Sequence, residues 1–210
     1  MIKKIKMAFF DFSRTVAKDT GFGAGPALLG RKNDYDKIYS KFKAKKIDEE
    51  KFVKEVAKLW MGLKEKDLPK LHSRIKLNPN IKSTLRNLQK MKIKNALVSY
   101  IPTKLAQLYA NLGFDYLSGT EFEMKDRVFT GKTIKINSDK SKAILDICKM
   151  EKIIPKEAIA VGDSINDVNM FKTVGFENSF AYNASSEVAK NAKYPIRNFN
   201  EIIPIIKEFK

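Results

Sequence analysis

The residues from Ile5 to Phe10 form a compact apolar run that stops at Asp11. A short apolar run with a polar boundary predicts a buried strand that delivers a carboxylate at its C-terminal end. The pattern returns at Asn95 to Ser99 (NALVS) and at Ala158 to Gly162 (AIAVG). Apolar positions at helical spacing precede each: Ile81, Leu85, Leu88 and Met91 before the first, Ile144, Ile147 and Cys148 before the second. Strands alternating with helices predict an α/β fold with a mainly parallel sheet, whose ligands bind beyond the carboxyl ends of the strands. Three polar strand ends then converge on one crevice.

Between Thr15 and Leu77 the strand pattern disappears and two helical stripes replace it. They are Tyr35, Ile38, Tyr39 and Phe42, then Phe52, Val53, Val56, Leu59 and Trp60. This predicts a helical cap over residues 17–77, inserted after the first strand, with 1–16 and 78–210 forming the core; the stripes read as the insert's own apolar interior. The glycine-rich Thr20 to Pro26 (TGFGAGP) reads as a flexible hinge into that insert, since it lacks the lysine and helix start of a phosphate-cradling loop. Thr120 to Ile136 alternates apolar and polar residues around a Lys-Asp-Arg turn, which predicts a β-hairpin appended to the sheet. Gly131-Lys132-Thr133 imitates the end of a nucleotide-binding P-loop, but Asp126 stands where that motif needs glycine.

Composition changes this picture little. With 43% hydrophobic and 31% charged residues the chain belongs with ordinary globular proteins, neither disordered nor fibrous. The formal net charge is +17, yet its lysines run through nearly every segment and Arg is sparse, which disfavours nucleic acid as a partner and favours a Lys-rich solvated surface. That surface also suits an anionic, phosphorylated substrate. Cys148, the only cysteine, reads as a small buried hydrophobe, and His72, the only histidine, as a surface or structural residue without partners for a metal cluster. The apolar run before Asp11 is too short for a signal peptide and no segment reaches membrane-spanning length, so no membrane partner and a cytoplasmic location are expected.

Four pieces carry the chemistry. Asp11-Phe12-Ser13-Arg14-Thr15 follows the first strand, Ser99 closes the second, Lys140 opens a helix, and Gly162-Asp163-Ser164-Ile165-Asn166-Asp167 follows a further strand. In this order and spacing they resemble the haloacid dehalogenase (HAD) superfamily, and the early insert with the hairpin resembles its phosphoserine-phosphatase-like branch. The resemblance implies a Rossmann-like core under a cap, and a Mg²⁺-dependent phosphatase of small phosphomonoesters. Asp11 would be the nucleophile and form an aspartyl-phosphate. Mg²⁺ would sit between Asp11 and Asp163, with the Ser13 carbonyl, while Asp167 holds a metal water or contributes directly. Lys140, with Lys142 as its competitor, and the Ser99 hydroxyl would bind phosphoryl oxygens, and Asn166 would donate a hydrogen bond near the phosphate. These types suit phosphoryl transfer, which asks for positioning and charge neutralisation, and Mg²⁺, which prefers oxygen ligands.

Ser13 departs from the pattern. The family's phosphatases carry there an aspartate that protonates the leaving group and then deprotonates the attacking water. A serine hydroxyl is far too weak an acid, and general acid–base assistance is worth roughly 10²–10⁴-fold. Three readings follow: a slow phosphatase that favours good leaving groups or recruits another acid, a phosphotransferase with a long-lived aspartyl-phosphate, or an impaired protein that binds phosphate or nucleic acid without turnover. Phosphoserine enzymes of the branch grip serine through a glutamate and an arginine whose positions correspond here to Thr20 and about Val56, and Tyr100 replaces a glycine. A bulkier or less polar phosphomonoester suits Tyr100 and the aromatic insert.

Overall fold

The computed structural model describes residues 4–137 and 139–209. Its centre is a seven-stranded sheet of order β4-β3-β2-β1-β5-β6-β7. The strands are β1 (Met7–Phe10), β2 (Lys94–Pro102), β3 (Tyr116–Lys125), β4 (Val128–Lys135), β5 (Ala158–Gly162), β6 (Ser179–Tyr182) and β7 (Tyr194–Ile196). The α-helices are α1 (Gly21–Leu28), α2 (Lys32–Lys43), α3 (Glu49–Leu59), α4 (Leu68–Arg74), α5 (Ile81–Lys90), α6 (Thr103–Ala106), α7 (Lys140–Met150), α8 (Val168–Val174), α9 (Ser186–Ala189) and α10 (Ile202–Lys207). Neighbouring strands are parallel except for the antiparallel pair of β3 and β4.

Period-two alternation explains why β1 reads as an unbroken apolar run. Ala8 and Phe10 enter one apolar cluster and Met7 and Phe9 the other, so both faces of the strand are buried. Helices α5 and α10 cover the first face through Leu85, Leu88, Ile202 and Ile206; α7 and α8 cover the second through Ile144, Ile147, Met170 and Phe171. Cys148 lies in this second layer, where burial pushes its thiol up to about 11. His72 is exposed on α4, with its ring 4.8 Å from that of Tyr109. Among the described residues no helix is long and apolar enough to cross a membrane.

Several local expectations change. Ser99 does not end its strand: β2 runs on to Pro102, and its pairing with β3 shifts register between Val98 and Pro102. The hairpin is less an appendage than the sheet's own edge. The first part of β3 pairs with β2, whereas Glu121 to Lys125 turn to β4. Asp126 and Arg127 make the turn with positive φ of 49° and 61°, the twist that two-residue hairpin loops require. Gly131-Lys132-Thr133 lies within β4, where no helix can follow as a P-loop would need.

Helices α1 to α4 form the insert between β1 and β2. The glycine-rich stretch is not a hinge, because it is α1 itself. Its glycines permit close packing: a Cβ at Gly25 would lie 2.5 Å from the Trp60 ring, and one at Gly21 2.7 Å from the Phe12 ring. Trp60 fixes the contact by donating its indole N–H to the Phe22 carbonyl at 3.1 Å. Two backbone ladders tie the insert down. At the neck, Lys18 N–H donates to Lys76 O (2.8 Å) and Asn78 N–H to Val16 O (2.9 Å). At the hairpin, Gly62 N–H donates to Phe129 O (2.9 Å), Phe129 N–H to Leu63 O (2.9 Å) and Glu65 N–H to Arg127 O (2.8 Å).

Candidate active site

Asp11 leaves β1 at the carboxyl edge of the sheet and is only 4% exposed; its N–H donates to Val161 O of β5 at 3.0 Å. Lys140 is the first residue of α7, a helix capped by Asp139, which accepts from Ser141 N–H at 2.8 Å. Its Nζ lies 2.6 Å from Asp11 Oδ1 and 2.6 Å from Asp167 Oδ1, fully buried between them. Lys142, two residues on, is exposed. Asp167 Oδ2 accepts from Asp163 N–H (3.0 Å), Ser164 N–H (2.9 Å) and Ser164 Oγ (2.9 Å). A Cβ at Gly162 would stand 2.4 Å from the Asp167 carboxyl carbon, so only glycine lets this carboxylate fold back against the strand end. Asp163 Oδ2 pairs with Arg14 Nε at 2.8 Å, and its Oδ1 has only a long contact from the Thr15 hydroxyl, 3.5 Å.

Oxygens of Asp11, Asp163 and Asp167 lie within 4.8 Å of one another. Burial pushes the Asp11 carboxyl up to about 7, with the charges of Asp167 and Asp163 adding and Lys140 opposing. Asp163 rises to about 6 through burial and Asp167, against Arg14 and Lys140. Burial disfavours the Lys140 ammonium, but Asp11 and Asp167 outweigh this and hold it well above the ordinary lysine range. With all three acids ionised the group carries one negative charge more than Lys140 and Arg14 neutralise, a surplus of hard oxygen charge that favours a bound cation.

A cavity of 770 Å³ opens above these residues. Asp11, Ser13, Ser99, Tyr100, Lys140, Asp163 and Asn166 all line it, whereas Asp167 lies buried behind. Ser13 Oγ accepts the Gly21 N–H at 3.2 Å and so caps the start of α1. The Tyr100 ring lies 5.0 Å from Lys140 Nζ. The opposite wall is the insert: Phe22, Tyr35, Tyr39, Phe42 and Phe52. The aromatic stripes thus serve twice. Val53, Val56 and Trp60 are fully buried as the insert's interior, while Phe42 stacks on Phe52 at 4.4 Å and Tyr35 on Tyr39 at 5.8 Å along the cavity.

Two residues of the site escaped the sequence reading. Arg14, in left-handed backbone at φ 61°, bridges Asp163 to the Tyr39 hydroxyl. Glu49, at the start of α3, turns a buried carboxylate toward Tyr100 and Lys140; its Oε1 has no partner among the described residues, and burial pushes its carboxyl up. Arg14 had one signal, a charged residue three places after a strand-end acid, and Glu49 had none beyond its place at a helix start.

A family model described as haloacid dehalogenase-like hydrolase matches residues 29–207. The chain belongs to this family. Phosphoserine phosphatase of Archaeoglobus fulgidus is 30% identical over 183 residues, 84% of this chain but 49% of that enzyme, so the chain spans about half the length of this relative. Phosphoserine phosphatase of Methanocaldococcus jannaschii is 26% identical over 212 residues, covering 99% of this chain and 100% of that one. Among solved structures, a substrate-bound phosphoserine phosphatase superposes with a TM-score of 0.84 at 25% identity, over 96% of this chain and 98% of that one. A HAD family hydrolase from Salmonella enterica serovar Typhi reaches 0.90 at 21% identity, over 99% and 73%. These relatives place the chain on the phosphoserine-phosphatase-like branch of the family.

Proposed function

We propose that the protein is a Mg²⁺-dependent phosphatase that acts on a small phosphomonoester with an apolar or aromatic body, through an aspartyl-phosphate on Asp11. The observation that carries this reading is the Asp11 carboxylate, held at the cavity floor between Lys140 and Asp163. Asp11, Asp163 and the Ser13 carbonyl offer the hard oxygens that hold Mg²⁺, and the bound ion supplies neutralisation of phosphoryl charge. Among the described residues, Asp163 Oδ1 takes only the long Thr15 contact and suits this role. Both Asp167 oxygens are taken by Lys140 and by the Asp163–Ser164 turn, which favours an orienting part for it over direct ligation. Lys140 carries its charge against both acids and meets the phosphoryl oxygens, joined by the Ser99 hydroxyl and by Asn166 on the cavity wall.

The relatives' names point to phosphoserine, but the two positions at which the resemblance puts the grip on serine carry no charge here. Thr20 lines the wall and accepts a hydrogen bond from the Tyr35 hydroxyl at 2.9 Å, and Val56 is fully buried. Phe22, Tyr35, Tyr39, Phe42 and Phe52 share the wall with Lys43, Lys45, Asp48 and Glu187, and the rings support a flat or bulky substrate. A substrate panel tests this. Expected is Mg²⁺-dependent phosphate release from aryl phosphates, abolished by Asp11→Asn, with phosphoserine a poorer substrate. A preference for phosphoserine overturns the substrate reading; salt-sensitive retention of RNA or DNA that survives Asp11→Asn, without turnover, overturns the enzyme. Because Ser13 is no base, a long-lived aspartyl-phosphate is the second reading, visible as a phosphoryl adduct in intact-mass spectra during turnover.

A further inference from the structure

Without an aspartate at position 13, the oxygen that leaves phosphorus has no evident proton donor. Resting on the phosphoryl-transfer reading above, we propose that Arg14 takes over this end of the reaction by stabilising the negative charge of the departing oxygen. Displacement at phosphorus is in line, so attack by Asp11 from the cavity floor expels the leaving oxygen toward the insert wall. Arg14 spans that distance. Its Nε pairs with Asp163 on the floor at 2.8 Å, and its Nη1 donates to the Tyr39 hydroxyl on the wall at 2.5 Å. The backbone is held in its left-handed turn by Arg14 N–H donating to Asp19 O (3.4 Å) and by the Asn78 amide donating to Arg14 O (3.3 Å). These ties leave guanidinium N–H groups that neither Asp163 nor Tyr39 uses, on a residue that lines the cavity.

The bookkeeping of the step is simple. An Asp11 carboxylate oxygen bonds to phosphorus, and the bond from phosphorus to the leaving oxygen breaks with its electron pair staying on that oxygen. The guanidinium, which keeps its charge throughout the physiological range, pairs with this oxyanion until solvent water protonates it. Water then attacks the aspartyl-phosphate, releasing inorganic phosphate and restoring Asp11. Arg14 assists the first half-reaction and supplies no base for the second.

The test is kcat/KM for aryl phosphates of rising phenol pKa, from 4-nitrophenyl to phenyl, in the wild-type protein and in Arg14→Gln, with Mg²⁺ affinity measured by calorimetry on both. The expected loss in Arg14→Gln grows along the series, from a few-fold for the good leaving group to roughly 10²-fold for the poor one, the scale of removing one preorganised donor. Tyr39→Phe, which removes the wall contact that aims the guanidinium at the departing oxygen, should steepen the same dependence without touching Asp163. A uniform loss in Arg14→Gln with altered Mg²⁺ affinity overturns the proposal and assigns Arg14 to holding Asp163; should Arg14→Gln not fold, an unchanged slope in Tyr39→Phe overturns it. If the wild-type protein releases phosphate from no aryl phosphate, the phosphatase reading itself fails, a distinct outcome.

Discussion

At position 13 the chain carries a hydroxyl where the resemblance implies a carboxylate, and Ser13 Oγ accepts the Gly21 N–H that begins α1. A carboxylate could keep that bond with one oxygen and aim the other at the leaving group. Ser13→Asp should therefore raise steady-state phosphatase activity by about 10²-fold, the lower end of what acid–base assistance contributes; no rise in a folded, Mg²⁺-binding variant would remove Ser13 from the explanation. The acids below set a pH dependence. Asp11 and Asp163, raised to about 7 and about 6, are protonated in acid and bind a cation only when ionised. Mg²⁺ affinity by calorimetry should be full near pH 8 and fall as pH drops through 7 toward 6. Without metal the sign for stability is opposite. A folded-state carboxyl raised above its unfolded value holds its proton longer, so stability declines as pH rises from about 4 to about 7, and Asp11→Asn should flatten this slope in melting curves taken in EDTA. Asp11, Lys140, Asp163 and Asp167 were legible because each sits where an apolar pattern stops or a helix starts. Arg14 and Glu49 were not, since what gives them meaning is contact with Tyr39 and Tyr100, which no local spacing announces.

At the scale of elements, β1, β2 and β5 were legible, because burial on both faces writes a dense apolar signal into few residues, whereas the short β6 and β7 were not read at all. Helix α1 was missed for the converse reason. Its glycines break helix propensity, and the gain that outweighs this lies in the approach of Gly25 to Trp60 across the insert. Gly25→Ala is therefore expected to destabilise despite alanine's better helix propensity. Overpacking costs about 1–3 kcal/mol, and each kcal/mol lowers Tm by about 2–4 °C in a chain of this size. A rise in Tm by calorimetry would show that the Trp60 ring can move aside. The aromatic stripes were legible as a helical face, but a periodicity cannot tell an interior from a cavity wall. Only the fold shows Phe42 and Phe52 facing the acids of the sheet edge.

Across the whole molecule, the insert is bound at its neck and again at the hairpin, and both ties are backbone ladders that side-chain changes leave intact. The exposed part of the cavity lining, Lys43, Lys45 and Asp48 with Asn183, Ser185 and Glu187, belongs to neither tie, and substrate is expected to enter there. Hydrogen exchange should find the amides of Lys18, Asn78, Gly62, Glu65 and Phe129 slow with or without phosphate, and those of residues 44–48 fast until the site is filled. Fast exchange at Gly62 and Phe129 would instead place the opening at the hairpin. The hairpin tie has a further consequence for solubility. Strand β4 is the outermost strand of the sheet, and an outer strand with unpaired amides recruits other chains. The segment from Gly62 to Glu65 occupies the start of that edge, and Lys132 and Lys135 charge the remainder. A lid that let go there would expose an adhesive border each time it opened, so a fixed attachment at β4 is expected to hold down edge-to-edge association on this side of the sheet.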